Sequence, residues 1–342
     1  MSDSENLQGT ALPEVAFYYP GPLWHSAEWV KNLLLFFDGI ALLIPEYMSD
    51  RPEILDPSLA IPLREAGLLH ILHPETLVNK TATEDLALAL TNLITSGALD
   101  PLRKEKTRFQ SLSWSRLGGY GDEGLARMIL EELKARDLAH DSEDGVSIPM
   151  HPTVRALVLV LLAQILRPQG SLHGLDLAPA TDQPRLVDAL KEVLSLEDAP
   201  SSGHVVSLDL RTVGVDLSHA PIDEVLDFRR EHLALHRKYA QEVRRFVRDL
   251  GLLPPAERQQ ELADRQRDLS ELEETLRRVT KQTWKRPAGF ALGIAGAVWT
   301  ATTGDPLGAI IGGAGAFLGL GPREEAEVGA FSYLFRAREK YA

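Results

Sequence analysis

Gly119-Tyr120-Gly121-Asp122-Glu123-Gly124 is a literal G-x-G-x-x-G ahead of a helical run. In dinucleotide sites those glycines bring bare backbone amides and a helix N-terminus against a pyrophosphate. Here Asp122 and Glu123 stand where the phosphates belong, and "SLSWSRL" before them is a poor buried strand. No acid follows the next strand to grip a ribose, so the acids read as complements of a helix dipole in a loop. His232 and His236, beside Glu231, share a helix face at metal-ligand spacing, and His70, His73 and Glu75 form a second cluster at a strand end. A metal site needs more ligands and a supporting shell, which neither group has nearby. The sequence lacks a G-x-S-x-G, a Walker loop and an H-E-x-x-H, and predicts no catalytic residue, cofactor or metal.

The strongest signal is apolar. Residues 289–321 hold no Lys, Arg, Glu or His, and Asp305 is their one acid. Gly289 and Gly293 are four apart, as are Gly304, Gly308 and Gly312, and then Gly315 and Gly319. On a helix this lines one side with hydrogen atoms and lets another backbone approach closely. Asp305-Pro306 interrupts the run, leaving two arms of ~12–13 residues or ~18–20 Å, against ~30 Å of hydrocarbon. Neither arm spans alone, so the geometry is a hairpin with Asp305 near its tip and Trp299 in its first arm. Lys281, Trp284, Lys285 and Arg286 at its start suit an interfacial anchor. Two uses stay open: burial in a soluble core, or insertion into a membrane on activation.

These features must sit on a scaffold. In Glu14–Pro20 a strand ends at "PGP", Ser26 caps a helix carrying Val30, Leu33, Leu34 and Phe37 on one face, Gly39 stops it, and Ile40–Pro45 is the next strand. That is a β-α-β crossover with strands buried on both faces. A helix ending at Gly67, a strand through "LLHILHP" and a helix capped by Thr83 extend it. The middle predicts an amphipathic helix from Leu125, a hairpin at Asp144-Gly145, and a helix from Pro152 apolar on all sides. That helix is too short for a bilayer. "HVVSLDLRTVGVDL" (204–217) alternates like a strand. From Ile222 the period is helical, with two long helices about "GLLPP" that predict an antiparallel hairpin, and a last helix after Arg323.

The fold class is therefore α+β. It comprises a small, mostly parallel α/β domain (11–98), a mixed region with a winged-helix-like helix and hairpin (99–221), and a helical region with the long hairpin and the glycine-rich hairpin (222–342). Charge narrows the partners. The 342 residues carry 49 acids against 36 bases, a net charge of -13. The helix from Leu125 mixes Arg127, Lys134 and Arg136 with Glu131, Glu132 and Asp137, a solvated face rather than a phosphate-tracking one. Nucleic acid is thus disfavoured and a protein partner favoured. With no cysteine, disulfides and thiolate chemistry are excluded. The polar, acidic "MSDSENLQG" predicts residence in the cytosol, with conditional membrane association as the alternative.

Together "YYP", "IALLIPE", "AGLLHILHPE", "IPMHPTVRALVLVLLA", "FRREHLALHRKY" and "GAFSYLFRARE" resemble a bacterial family of unknown function. The resemblance implies a bacterial origin, one integrated fold and a setting among mobile or defence genes, and carries no catalytic residue. The expectation is a non-enzymatic interaction protein, a defence or toxin effector with a membrane-active hairpin. The alternatives are a soluble protein-binding scaffold, or an enzyme working at the sheet edge near Pro20 and Glu46.

Overall fold

The structure, a computed structural model, describes residues 12–19, 24, 26–49, 55–117, 125–141, 144–181, 202–283 and 322–341. The fold is α+β, with a small parallel sheet towards the N-terminus and helices through the C-terminal region. The chain divides into two compact units, Met1–Trp29 with Phe37–Leu196, and Val30–Phe36 with Glu197–Ala342.

In the N-terminal unit β1 (Glu14–Tyr18), β2 (Gly39–Leu43) and β3 (Leu69–Leu72) lie parallel in the order β3-β2-β1. β2 is buried at every residue, as an apolar run sandwiched on both faces requires. Helix α1 (Ala27–Leu34) connects the first two strands, and its Trp29 amide donates to the Ser26 hydroxyl at 3.1 Å. Gly39 does not stop that helix. It opens β2, where a Cβ would stand 2.8 Å from the Leu68 carbonyl, so only a hydrogen fits. A short helix α2 (Glu46–Ser49) follows β2. Helix α3 (Pro57–Glu65), capped by Asp56, turns at Gly67 with φ +68 as it enters β3.

After β3 come α4 (Pro74–Leu77) and α5 (Lys80–Thr95). The cap of α5 is Asn79, which accepts from the Ala82 amide at 2.9 Å, not Thr83, so the helix begins earlier than its apolar pattern. Strand β4 (Gln110–Ser113) pairs antiparallel with β5 (Ser147–Met150), and Met150 bridges Ala139 across the turn at Gly145. Helix α6 (Leu125–Ala135) lies between them in sequence, giving the order of a winged helix. Helix α7 (Pro152–Leu166) is the core helix its composition predicts, with both sides buried. The chain then returns to the first sheet, where β6 (Asp176–Ala180) pairs parallel with β1. One apolar core joins β1, β2, α5, α6, α7 and β6.

The C-terminal unit is helical: α8 (Ser202–Val213), α9 (Ile222–Glu231), α10 (Leu233–Gly251), α11 (Pro255–Thr283) and α12 (Pro322–Tyr341). The strand expected over 204–217 is instead α8. Val205, Val206, Leu210 and Val213 are buried at helical spacing, and Gly214, φ +76, ends it. Helices α10 and α11 follow each other across a short turn, but α10 packs mainly on α12 and α11 mainly on α8. At the centre Asp209 of α8, fully buried, accepts from Arg265 Nε at 2.8 Å, from Arg265 Nη2 at 2.7 Å and from the Tyr239 hydroxyl at 2.9 Å. The Arg265 guanidinium also lies 4.4 Å from the Phe246 ring centroid and 4.9 Å from that of Phe331. Burial opposes its charge, but the hydrogen bonds and charge of Asp209 prevail and raise its pKa.

Candidate functional site

The carboxyl ends of the parallel strands bring several of the chain's polar groups together. The Ile44 carbonyl, just past β2, bonds His73 Nδ1 at 2.9 Å, and the Glu46 amide donates to Glu75 at 3.3 Å. These bonds tie the ends of β2 and β3 to each other. His70 lies at the other end of β3, packed over Gly39, and burial lowers its pKa. His70, His73 and Glu75 therefore do not converge.

Beyond the end of β1 stands a residue that carried no sequence signal. Arg116 lies in a 3-10 turn (Trp114–Leu117) directly after β4, and is 5% exposed. Its Nη1 donates to the Tyr19 carbonyl at 3.4 Å. Among the described residues no carboxylate pairs with it. Burial, reinforced by the charge of nearby Arg155, lowers its pKa to about 10 against the opposing influence of Tyr18 and Tyr47. Arg155, at the start of α7, donates from Nε to the Ser111 carbonyl at 3.0 Å, and burial lowers its pKa as well.

The winged-helix-like segment offers a different surface. Lys134 pairs with Glu131 at 2.9 Å and with Asp141, and Arg136 pairs with Glu132 at 2.9 Å and with Asp100 at 3.3 Å. Met128 on α6 and Val146 at the turn are both well exposed. The core beneath holds an apolar cavity of about 40 Å³ lined by Leu86, Leu90, Trp114, Leu133, Ile148 and Val158. That volume admits about one water and no organic ligand.

The other expected sites fall elsewhere. His232 occupies the break between α9 and α10, with φ -110, and its ring meets Phe228 edge-on. His236 is fully buried, edge-on to Tyr333. Both rings border the packed Phe228–Tyr333 pair, and among the described residues no three potential ligands are placed to hold a metal. Gly119–Gly124 lie outside the described residues, as do Trp284, Lys285, Arg286 and the whole stretch from Gly289 through Trp299, Gly304, Asp305, Gly308, Gly312 and Gly315 to Gly319. Lys281 falls within α11. Among the described residues one helical stretch, Pro152–His173, meets the length and apolarity of a membrane span, and half of its most apolar window is buried in the protein. No family model, curated protein or solved structure matches the chain.

Proposed function

We propose that this is a non-enzymatic interaction protein whose N-terminal unit docks another protein through the winged-helix-like face. The pairing on α6 supports the reading: Lys134 and Arg136, the cations that would track phosphates, are each engaged by two carboxylates. A nucleic-acid reader needs such cations free, because affinity comes from the counterions its phosphate contacts release. Exposed Met128 in a charge-balanced surround suits a protein contact instead. In affinity capture from the source cell, the wild-type chain retains a discrete partner that Arg127→Glu with Met128→Glu loses. Duplex DNA binding that falls by ~10³ or more between 50 and 200 mM salt, the mark of many phosphate contacts, overturns the reading.

A second role is favoured by the glycine spacing of residues 289–321: the stretch forms a hairpin that inserts into a membrane when the protein is activated. Gly308→Leu with Gly312→Leu then abolishes liposome leakage or growth arrest. Absence of leakage from the activated wild type removes this half of the proposal and leaves the soluble scaffold.

A further inference from the structure

His151 sits where the wing becomes the core helix: Met150 ends β5 and Pro152 opens α7. Its backbone amide donates to the Leu138 carbonyl at 2.9 Å, and the His140 amide donates to the Pro149 carbonyl at 3.0 Å. Both histidines are thus tied into the base of the wing, with Phe109 between their rings. His140 stacks on Phe109 with centroids 4.3 Å apart and planes at 9°, and His151 meets it edge-on at 6.3 Å.

The buried His151 ring is also the N-cap of α7. The residues that usually cap helices, Ser, Thr, Asp and Asn, keep their acceptor oxygen near neutral pH. Here the Thr153 amide donates to Nδ1 at 3.2 Å, so the neutral ring carries its proton on Nε2, which stands 3.4 Å from Glu105. An imidazolium is a donor at both nitrogens. Nδ1 would then aim a donor at a donor, and a positive charge would face the N-terminal end of a helix dipole. Around the ring, half-exposed Glu105 is the carboxylate that draws a charged imidazole outward, and His140 lies across Phe109. Arg155, one turn along α7, donates to the Ser111 carbonyl, and Lys134 and Arg136 are engaged by their own carboxylates. Asp137, next to Leu138, is exposed, and β4 and β5 carry no charged residue. Burial outweighs Glu105 and holds the pKa of His151 below its ordinary value, so the neutral cap persists at pH 7 and fails on acidification.

We propose that His151 is an acid-released latch: its protonation breaks the cap of α7, moves the ring towards Glu105 and loosens the wing. Acidification then weakens docking at the winged-helix-like face, a consequence that rests on that face being the docking surface.

Amide hydrogen exchange of the full chain without a partner, at about pH 7.5 and about pH 5, reads the latch directly. After correction for intrinsic exchange rates, protection at Thr153, Ser147, Ile148 and Met150 falls about 5–30-fold, the size of a lost cap, while α5 keeps its protection. His151→Asn, which caps without titrating, removes the change. Glu105→Gln moves its midpoint to lower pH, which keeps the proposal testable if His151→Asn does not fold. Protection at Thr153 that acid leaves unchanged in the wild type overturns the proposal. So does an equal fall in His151→Asn, or an equal loss across α5, which marks general acid unfolding. Failure to capture a partner at either pH, with the exchange response intact, removes the docking reading and leaves the latch standing.

Discussion

Replacing Asp209 by Ala gives the sharpest test of how the C-terminal unit is held together. The substitution takes both hydrogen bonds from Arg265, which is 6% exposed, and the acceptor from the Tyr239 hydroxyl. Removing one partner of a buried pair costs about 3–5 kcal/mol, because the other charge is left in a medium that solvates it poorly. The orphaned hydroxyl adds about 1–3 kcal/mol. The Phe246 and Phe331 rings face the cation in the wild type and the variant alike, so they leave the difference unchanged. The net expectation is a loss of about 4–8 kcal/mol, a large part of the ~5–15 kcal/mol a folded domain has. Arg265→Met alone strands a carboxylate in the same core and costs a similar amount. The double variant Asp209→Leu with Arg265→Met removes both charges and costs about 1 kcal/mol or less. Urea unfolding followed by circular dichroism supplies the three free energies, and the cycle gives a coupling of ~3 kcal/mol or more. Hydrogen exchange along α8 localises the loss. A single-variant cost below ~1 kcal/mol, or a double variant as unstable as the sum of the singles, refutes the reasoning.

Two further outcomes follow from the N-terminal unit. His151 is 2% exposed, accepts from the Thr153 amide through Nδ1 at 3.2 Å, and has Nε2 3.4 Å from Glu105. Burial lowers its pKa against the pull of Glu105, so the folded state takes up a proton less readily than the unfolded chain. Its contribution is complete above about pH 6.5 and is lost as pH falls below that towards the folded value. Between pH 7.5 and 5.5 the urea midpoint of the wild type drops more than that of His151→Asn, which keeps a cap but does not titrate; equal drops refute the assignment. Asn79→Ala should destabilise α5 by ~1 kcal/mol, while Thr83→Ala changes stability by less than half of that, as thermal unfolding would show.

Local signals carried much of the fold and none of its charged centres. The first crossover, the Gly67 turn and α7 were legible because caps, glycines and unbroken apolar runs are short-range features. Strand β6 was not. "DLAPA" is an edge strand, buried mainly at Leu177 and carrying Pro179, so it has neither a period nor an apolar run to announce it. Helix α8 was misread because Val205-Val206-Ser207-Leu208-Asp209-Leu210 mixes β-branched residues with alternation. Its core face includes Asp209, which a polarity pattern assigns to solvent. The partner shows the same effect: Arg265 occupies the position between Leu262 and Leu269 where a leucine is expected, so the stripe looked merely interrupted. Arg116 is a stricter case. A lone arginine in "SLSWSRL" reads as a surface cation, and only the packing of its turn on α4 and β4 buries it.

Residues Val30–Phe36 belong to the C-terminal unit although Phe37–Leu196 intervene before the rest of it. Lys31 donates to the Leu217, Ser218 and Ala220 carbonyls, the Leu34 carbonyl accepts from Arg229 at 3.1 Å, and Phe36 meets Tyr239 edge-on. No single cut therefore yields the helical half intact: a fragment starting near Glu197 lacks a segment its own loops and helices were built around. During synthesis that segment leaves the ribosome early and must wait for α9 and α10 before its hydrogen bonds can form. The two halves are thus coupled in time as well as in sequence, and a nascent chain stalled in its middle carries an early helix with half of its seat unmade.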